Sequence, residues 1–178
     1  MRTIIIEPYN PEWPAEFQRL RDFLWPHVAD LALDIVHIGS TSVPGLAAKP
    51  ILDFNIVIDS YDVFPQLTER LAALGYRHDG DGGLATRERF DGGPRDGFME
   101  YYLYVSPKTS PILDAQLLFR DALRKNDSAR DEYAALKRAL AEQHRHDIIS
   151  YVDGKHEFIM RIATAAYNER SNAARAEP

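Results

Sequence analysis

His37-Ile38-Gly39-Ser40-Thr41-Ser42-Val43-Pro44-Gly45-Leu46-Ala47-Ala48-Lys49-Pro50-Ile51-Leu52-Asp53-Phe54-Asn55-Ile56 joins a Gly-Ser turn to a carboxylate that opens an apolar strand. A turn of this kind can present backbone N–H groups and a hydroxyl to a phosphate. A carboxylate on the neighbouring strand can hold the metal that accompanies such a phosphate. The stretch therefore points to nucleotide chemistry. Asn55 stands where a second metal-binding carboxylate would be wanted, and this weakens the metal half of that chemistry.

Working outward, Leu52 to Ile58 predicts a central strand. Leu52, Phe54, Ile56 and Ile58 alternate with Asp53, Asn55 and Val57, so Asp53 and Asn55 share a face. Asp34 to Ile38 predicts the strand that leads into the turn, and Thr3 to Glu7 a short one before it. Asn10 and Pro11 read as the N-cap and first position of a helix. Trp13, Phe17, Leu20, Leu24, Val28 and Leu31 form its apolar face, which Pro26 should kink or end. Val63 to Leu74 predicts a second helix closed by Gly75.

Gly80 to Gly97 holds six of the ten glycines and reads as a mobile hairpin or flap bordering the cleft, with Ala85 to Phe90 as its strand. Phe98 to Ser106 predicts a strand on which Glu100, Tyr102 and Tyr104 share a face. Helices then follow: Ser110-Pro111 to about Asn126, a second opening at Ser128 and Asp131 and ending near His144, and Ile148 to Glu169. Strands first and helices last favour an α+β fold, a mixed sheet flanked by helices with a helical C-terminal part. Residues 1–170 read as one domain, and the small, polar tail 171–178 is expected to fray.

The 178 residues carry a formal net charge of −6 and no cysteine. Disulfides, thiolate catalysis and cysteine-based zinc sites are excluded, and an extended nucleic-acid groove is not expected without a basic stripe. No apolar run approaches the ~20 residues of a membrane span, and no signal-peptide pattern opens the chain, so a cytoplasmic location is expected. A small anionic ligand remains compatible, because local cations decide its binding.

Each candidate has a plain structural alternative. Gly39-Ser40 is either a phosphate cradle or an ordinary turn. Asp53 is costly on an apolar strand unless exposed, paired or metal-bound, and Lys49 is the near partner that would otherwise satisfy it. Glu100 could supply a further carboxylate or sit solvated on its strand. Lys49, Arg120, Arg124 and Lys155 are candidate phosphate contacts, each of which could instead be a surface ion pair. Arg120 and Arg124 share one helix face, as do Tyr151 and Lys155. His37 reads as structural, and His144 and His146 near Asp147 as a helix-end group.

These residues carry a resemblance. Tyr9-Asn10-Pro11-Glu12-Trp13 with Phe17, the stretch from His37 to Asp53, Leu118 to Arg124, Tyr133 with Leu136-Lys137, and Tyr151 with Lys155 and Phe158 resemble the GrpB family along nearly the whole chain. That family is similar to the nucleotidyltransferase superfamily of the DNA-polymerase-beta-like fold, which pairs a Gly-Ser turn with an Asp-x-Asp or Asp-x-Glu strand and a third carboxylate. Gly39-Ser40 and Asp53 match and Asn55 does not. The family also tends to carry histidines on the later strand, where this chain has Tyr102 and Tyr104. The resemblance implies a nucleotide or phosphate site of Gly39, Ser40, Thr41, Lys49, Asn55, Arg120, Arg124 and Lys155. Asp53 and Glu100 would be its catalytic carboxylates, and Asp53 would hold magnesium only beside a bound nucleotide. Two roles follow: a weakly catalytic or non-catalytic nucleotide-binding module, or an active nucleotidyltransferase acting on a hydroxyl acceptor.

Overall fold

A computed structural model describes residues 3–95 and 97–176. Its centre is a five-stranded mixed sheet in the order β1-β2-β5-β4-β3. The strands are β1 Ala32–Ile38, β2 Leu52–Ile58, β3 Tyr76–His78, β4 Glu88–Gly92 and β5 Tyr101–Pro107. β1 runs antiparallel to β2, β2 parallel to β5, and β5 antiparallel to β4. The α+β mixed sheet expected from the sequence is the fold observed.

The alternation of β2 decides the layers. Leu52, Phe54, Ile56 and Ile58 face a core completed by Leu20 and Leu24 of α1 (Trp13–Val28) and Leu67 and Leu71 of α2 (Phe64–Ala73). Each such fully buried aliphatic side chain contributes roughly 1.5–3 kcal/mol. On the opposite face, Ile38 and Val57 pack against Leu113 of α3 (Pro111–Lys125). A further apolar cluster joins α3, α4 (Asp127–Gln143) and α6 (His156–Ala176) through Leu123, Tyr133 and Phe158, and it receives Val43, Leu46 and Ala47. The chain that leaves the Gly-Ser turn is thus anchored in the helical layer before it returns to the sheet as β2.

Several expectations are corrected. Thr3 to Glu7 forms no strand; its trace is a single bridge from Glu7 to Ala48. Asn10 caps a turn ahead of α1, accepting from Glu12 N at 2.9 Å, and α1 runs through Pro26 to Val28. Asn126, not Ser128, caps α4 by accepting from Ala129 N at 3.0 Å. The predicted last helix is two, α5 (Ile148–Asp153) and α6, parted at Gly154. A Cβ there would lie 2.5 Å from Leu140 Cδ2, so glycine lets the junction press against α4. α6 continues to Ala176, through most of the tail expected to fray, on alanines that favour helix; the rest of that tail lies outside the described residues. Among the described residues no helix is long and apolar enough to cross a membrane.

Candidate functional site

Register brings the turn to the carboxylate. Ile38 is the β1 partner of Asp53, and the chain turns at the very next residue. Gly39 adopts φ +70°, a left-handed conformation that glycine tolerates. A Cβ on Gly39 would lie 2.5 Å from Asp53 Oδ2 and 2.8 Å from its Cβ. The turn and the carboxylate therefore touch, and only a residue without a side chain allows it.

Ser40 to Ser42 then form a single 3-10 turn. Two of its three hydroxyls are committed inside the protein. Thr41 is buried, with its hydroxyl against His37 Nε2 at 3.0 Å and donating to the Ile51 carbonyl at 3.4 Å. Ser42 Oγ donates to the Gly39 carbonyl at 2.6 Å. Ser40 is partly exposed, and its side chain lies near the Tyr133 hydroxyl. Thr41, singled out as a ligand contact, is instead part of the support of the turn.

The two arginines brace the turn from beneath. Arg120 Nη1 donates to the His37 carbonyl at 2.9 Å, while its other donors meet Asp121. Arg124 donates twice to the Ser42 carbonyl, at 3.0 and 2.7 Å. A guanidinium fork suits this task, because two donors on one carbonyl fix its direction. Their helix spacing was legible; that their partners are main-chain carbonyls was not. His37, stacked on Phe17 at 4.6 Å, is held neutral: burial, with the charges of Arg124 and Arg120, pushes it down to about 3.

The lysines do converge. Burial pushes the Asp53 carboxyl up to about 6, against the opposing pull of Lys49, Lys155 and Arg87. Lys155 sits at the α5–α6 junction with its ammonium 4.5 Å from the Tyr151 ring centre, and Lys49 approaches the same ring at 5.7 Å. Burial and the neighbouring Lys49 lower Lys155 to about 8, with Asp53 working the other way. Behind them lies Lys137, fully buried, donating to the Ala47 carbonyl and facing the Tyr133 ring at 4.7 Å. Burial, then Lys155, Arg138 and Lys49, push it down to about 6.

Three members of this cluster, Arg87, Tyr133 and Lys137, were not among the candidates. Arg87 comes from the glycine-rich segment and stacks on Tyr104 at 4.6 Å. That segment therefore borders the site, as its glycines suggested; its mobility is a separate expectation. Tyr133 and Lys137 lie four apart on one face of α4, the spacing that could have marked them.

The metal half of the pattern is reduced. Asn55 shares the face of Asp53 and is fully buried; its Nδ2 donates to Ser106 Oγ at 2.9 Å. Its Oδ1 has no hydrogen-bond partner among the described residues. On β5, Tyr102 pairs with Asp53 and Tyr104 with Asn55, so tyrosines occupy the positions that face the two polar residues of β2. Glu100 lies just ahead of β5, where its carbonyl accepts from Leu52 N at 2.9 Å. Among the described residues no group of three or more His, Cys, Asp or Glu side chains could hold a metal ion.

In its fold, the mixed sheet that carries this turn and carboxylate is nucleotidyltransferase-like. The structure is similar to Cid1 poly(U) polymerase in its complex with MgGTP, with a TM-score of 0.55 and 14% identity, covering 77% of this chain and 44% of that one. The chain belongs to the GrpB family: the family described as GrpB protein matches residues 3–165. It is 37% identical to the UPF0157 protein YqkA of Bacillus subtilis over 158 residues, 89% of this chain and 46% of that protein's length. The crystal structure of the conserved protein GrpB from Enterococcus faecalis is similar, with a TM-score of 0.82 and 30% identity over 93% of this chain and 99% of that one.

Proposed function

We propose that this chain binds a nucleotide or related phosphate ligand at the Gly39-Ser40 turn and is at most a weak nucleotidyl transferase. The observation that carries the reading is the convergence of Lys49, Lys155 and Arg87 on a single carboxylate, Asp53, beside Ser40. Cations that surround one acid leave a net positive cleft in an acidic protein, which suits an anion. Ser40 and the N–H groups of its turn would hold a phosphate oxygen, and the lysines would neutralise its charge. Relatives described as dephospho-CoA kinases support a place beside nucleotide chemistry: that of Mycolicibacterium paratuberculosis is 30% identical over 82% of this chain and 41% of its own length.

The donors fit one magnesium ion. Asp53 would offer its carboxylate and Asn55 its unpartnered Oδ1, an acceptor buried without a hydrogen bond. Magnesium keeps several waters and binds with the help of phosphates, so it belongs here beside a bound nucleotide. It would supply charge neutralisation at the phosphate.

One observation favours an active enzyme: the Asp53 carboxyl lies directly against the Gly39-Ser40 turn. Burial raises that carboxyl toward neutrality, where it can accept a proton. In that reading an acceptor hydroxyl gives its proton to Asp53 as its oxygen bonds the α-phosphorus, and the bond to pyrophosphate breaks. The missing second carboxylate weighs against it. Titration of ATP into wild type, Ser40→Ala and Lys155→Met tests binding, with roughly tenfold losses expected in Lys155→Met. A transfer assay with labelled nucleoside triphosphates and magnesium tests catalysis. Turnover of about 1 to 10³ per second would overturn the binding role, and unchanged affinity in both variants would remove the site.

A further inference from the structure

A hollow of about 300 Å³ opens next to the lysine cleft and is not used by the reading above. Its walls come from separate parts of the chain: Ile4 of the N-terminal segment, Ile51 and Tyr102 at the head of the sheet, and His146, Ile148 and Ile149 around the start of α5. Its size is at the lower end of small-ligand pockets, and its lining is largely apolar with a few polar groups.

Two features make it more than a gap between elements. First, it shares a residue with the anion cleft. Lys49 lines the hollow and is also the largest favourable charge acting on Asp53, while Tyr102 is the register partner of Asp53 on β5. Second, its rim carries large apolar side chains that the fold leaves outside its core: Ile148 is 48% exposed, Ile149 70% and Tyr102 37%. The walls are tied to one another, since Ile4 N donates to the Arg145 carbonyl at 3.0 Å. Asp147, the one acid of the lining, is occupied by accepting from Ile149 N, Ser150 N and Ser150 Oγ. A phosphate needs Lys49 but none of the apolar walls. A flat, weakly polar ring joined to the phosphate would use all of them.

We propose that this hollow holds the base of a nucleotide whose phosphates lie on Ser40, Lys49 and Lys155. The ring packs on Tyr102 between the isoleucines, and His146 offers a hydrogen bond to its edge. The ligand class is then a nucleoside polyphosphate rather than an inorganic one. The inference rests on the anion reading, and its test separates the two.

ATP, UTP and inorganic tripolyphosphate are titrated calorimetrically into the full chain and into the Ile148→Asn/Ile149→Asn variant, whose altered side chains are exposed and outside the core. At least one nucleoside triphosphate binds about tenfold or more tightly than tripolyphosphate in the wild type, the gain expected of one stacked base. In the variant that gap falls below about threefold, and tripolyphosphate affinity stays as it was. Equal affinities for all three in the wild type, or a gap that survives in the variant, overturn the pocket and leave the anion site standing. Tripolyphosphate that fails to bind, or binds Lys155→Met as tightly as wild type, overturns the anion reading instead.

Discussion

Asp53→Asn tests how far the fold sustains an unfavourable charge for the sake of its site. The carboxyl moves from 3.8 in the ordinary state to about 6 in the folded chain, where burial outweighs the pull of Lys49, Lys155 and Arg87. At 1.36 kcal/mol per pH unit this is about 3 kcal/mol. The sign follows from proton counts. Between those two pH values the folded chain keeps a proton that the unfolded chain has released, so stability falls as the pH rises from about 4 and levels off above about 7. Asparagine imitates the protonated carboxyl at every pH. The difference in stability between variant and wild type should therefore be small near pH 3, reach about 1 kcal/mol near pH 4.5 and grow to about 3 kcal/mol in favour of the variant by pH 8. Urea unfolding of both proteins at half-unit pH steps reads this directly, and other titrating groups cancel in the difference. A difference that stays constant to within about 0.5 kcal/mol across the range would refute the buried-carboxylate argument.

Gly39→Ala should cost about 2–4 kcal/mol by calorimetry, from the left-handed φ and the clash with Asp53, and a neutral effect would mean that turn and carboxylate do not touch. Lys49→Met and Lys155→Met should each weaken ATP binding roughly tenfold and flatten its salt dependence, whereas Arg120→Ala and Arg124→Ala should lower the melting temperature and leave the salt dependence intact, because those guanidiniums hold carbonyls. Lys137→Met should flatten the rise in stability between about pH 6 and 10, since the folded chain lacks there a proton that the unfolded chain carries; an unchanged slope in urea unfolding counts against a neutral Lys137. Asn55→Asp should tighten magnesium binding in the presence of ATP by adding a charged oxygen beside Asp53, and calorimetry showing no change would place Asn55 outside the ion's reach.

The parts of this molecule legible in its sequence are those decided locally. β2 matches its predicted bounds because the alternation from Leu52 to Ile58 has period two and no competing pattern, and α2 falls within one residue of its prediction at each end. The apposition of Gly39-Ser40 to Asp53 was legible for a similar reason: a strand, a tight turn and a returning strand leave few places for the carboxylate. The rest depends on distant partners. Nothing near Gly154 announces that Leu140 needs the space of its missing side chain, so two helices read as one. Helix spacing aligned Arg120 with Arg124 but did not show that the carbonyls of His37 and Ser42, some eighty residues earlier, would take their donors. The lysine cluster is the extreme case, since positions 49, 137 and 155 meet only once α4 and the α5–α6 junction fold over the turn.

That distance also bears on what the site became. A two-carboxylate strand draws its strength from metal ions, and its geometry is local: two side chains on alternate positions of one strand. Here the second carboxylate is an amide, buried and bonded to Ser106, and positive charge arrives instead from three separate parts of the chain that must be held in place: the segment ahead of β2, the α5–α6 junction and the glycine-rich segment ahead of β4. The braces fit that need. Arg120 and Arg124 fix the turn to α3, and Leu46 and Ala47 fix the segment behind it to the apolar cluster shared by α3, α4 and α6. Charge that is fixed by packing needs no ion to be present, and this is why the reading proposed above is a ligand with several negative oxygens and not a reaction that must stabilise one developing charge. The same packing pushes the Asp53 carboxyl up to about 6 and the Lys155 ammonium down to about 8, and in the proposed reading an arriving polyanion draws Lys155 toward its protonated form.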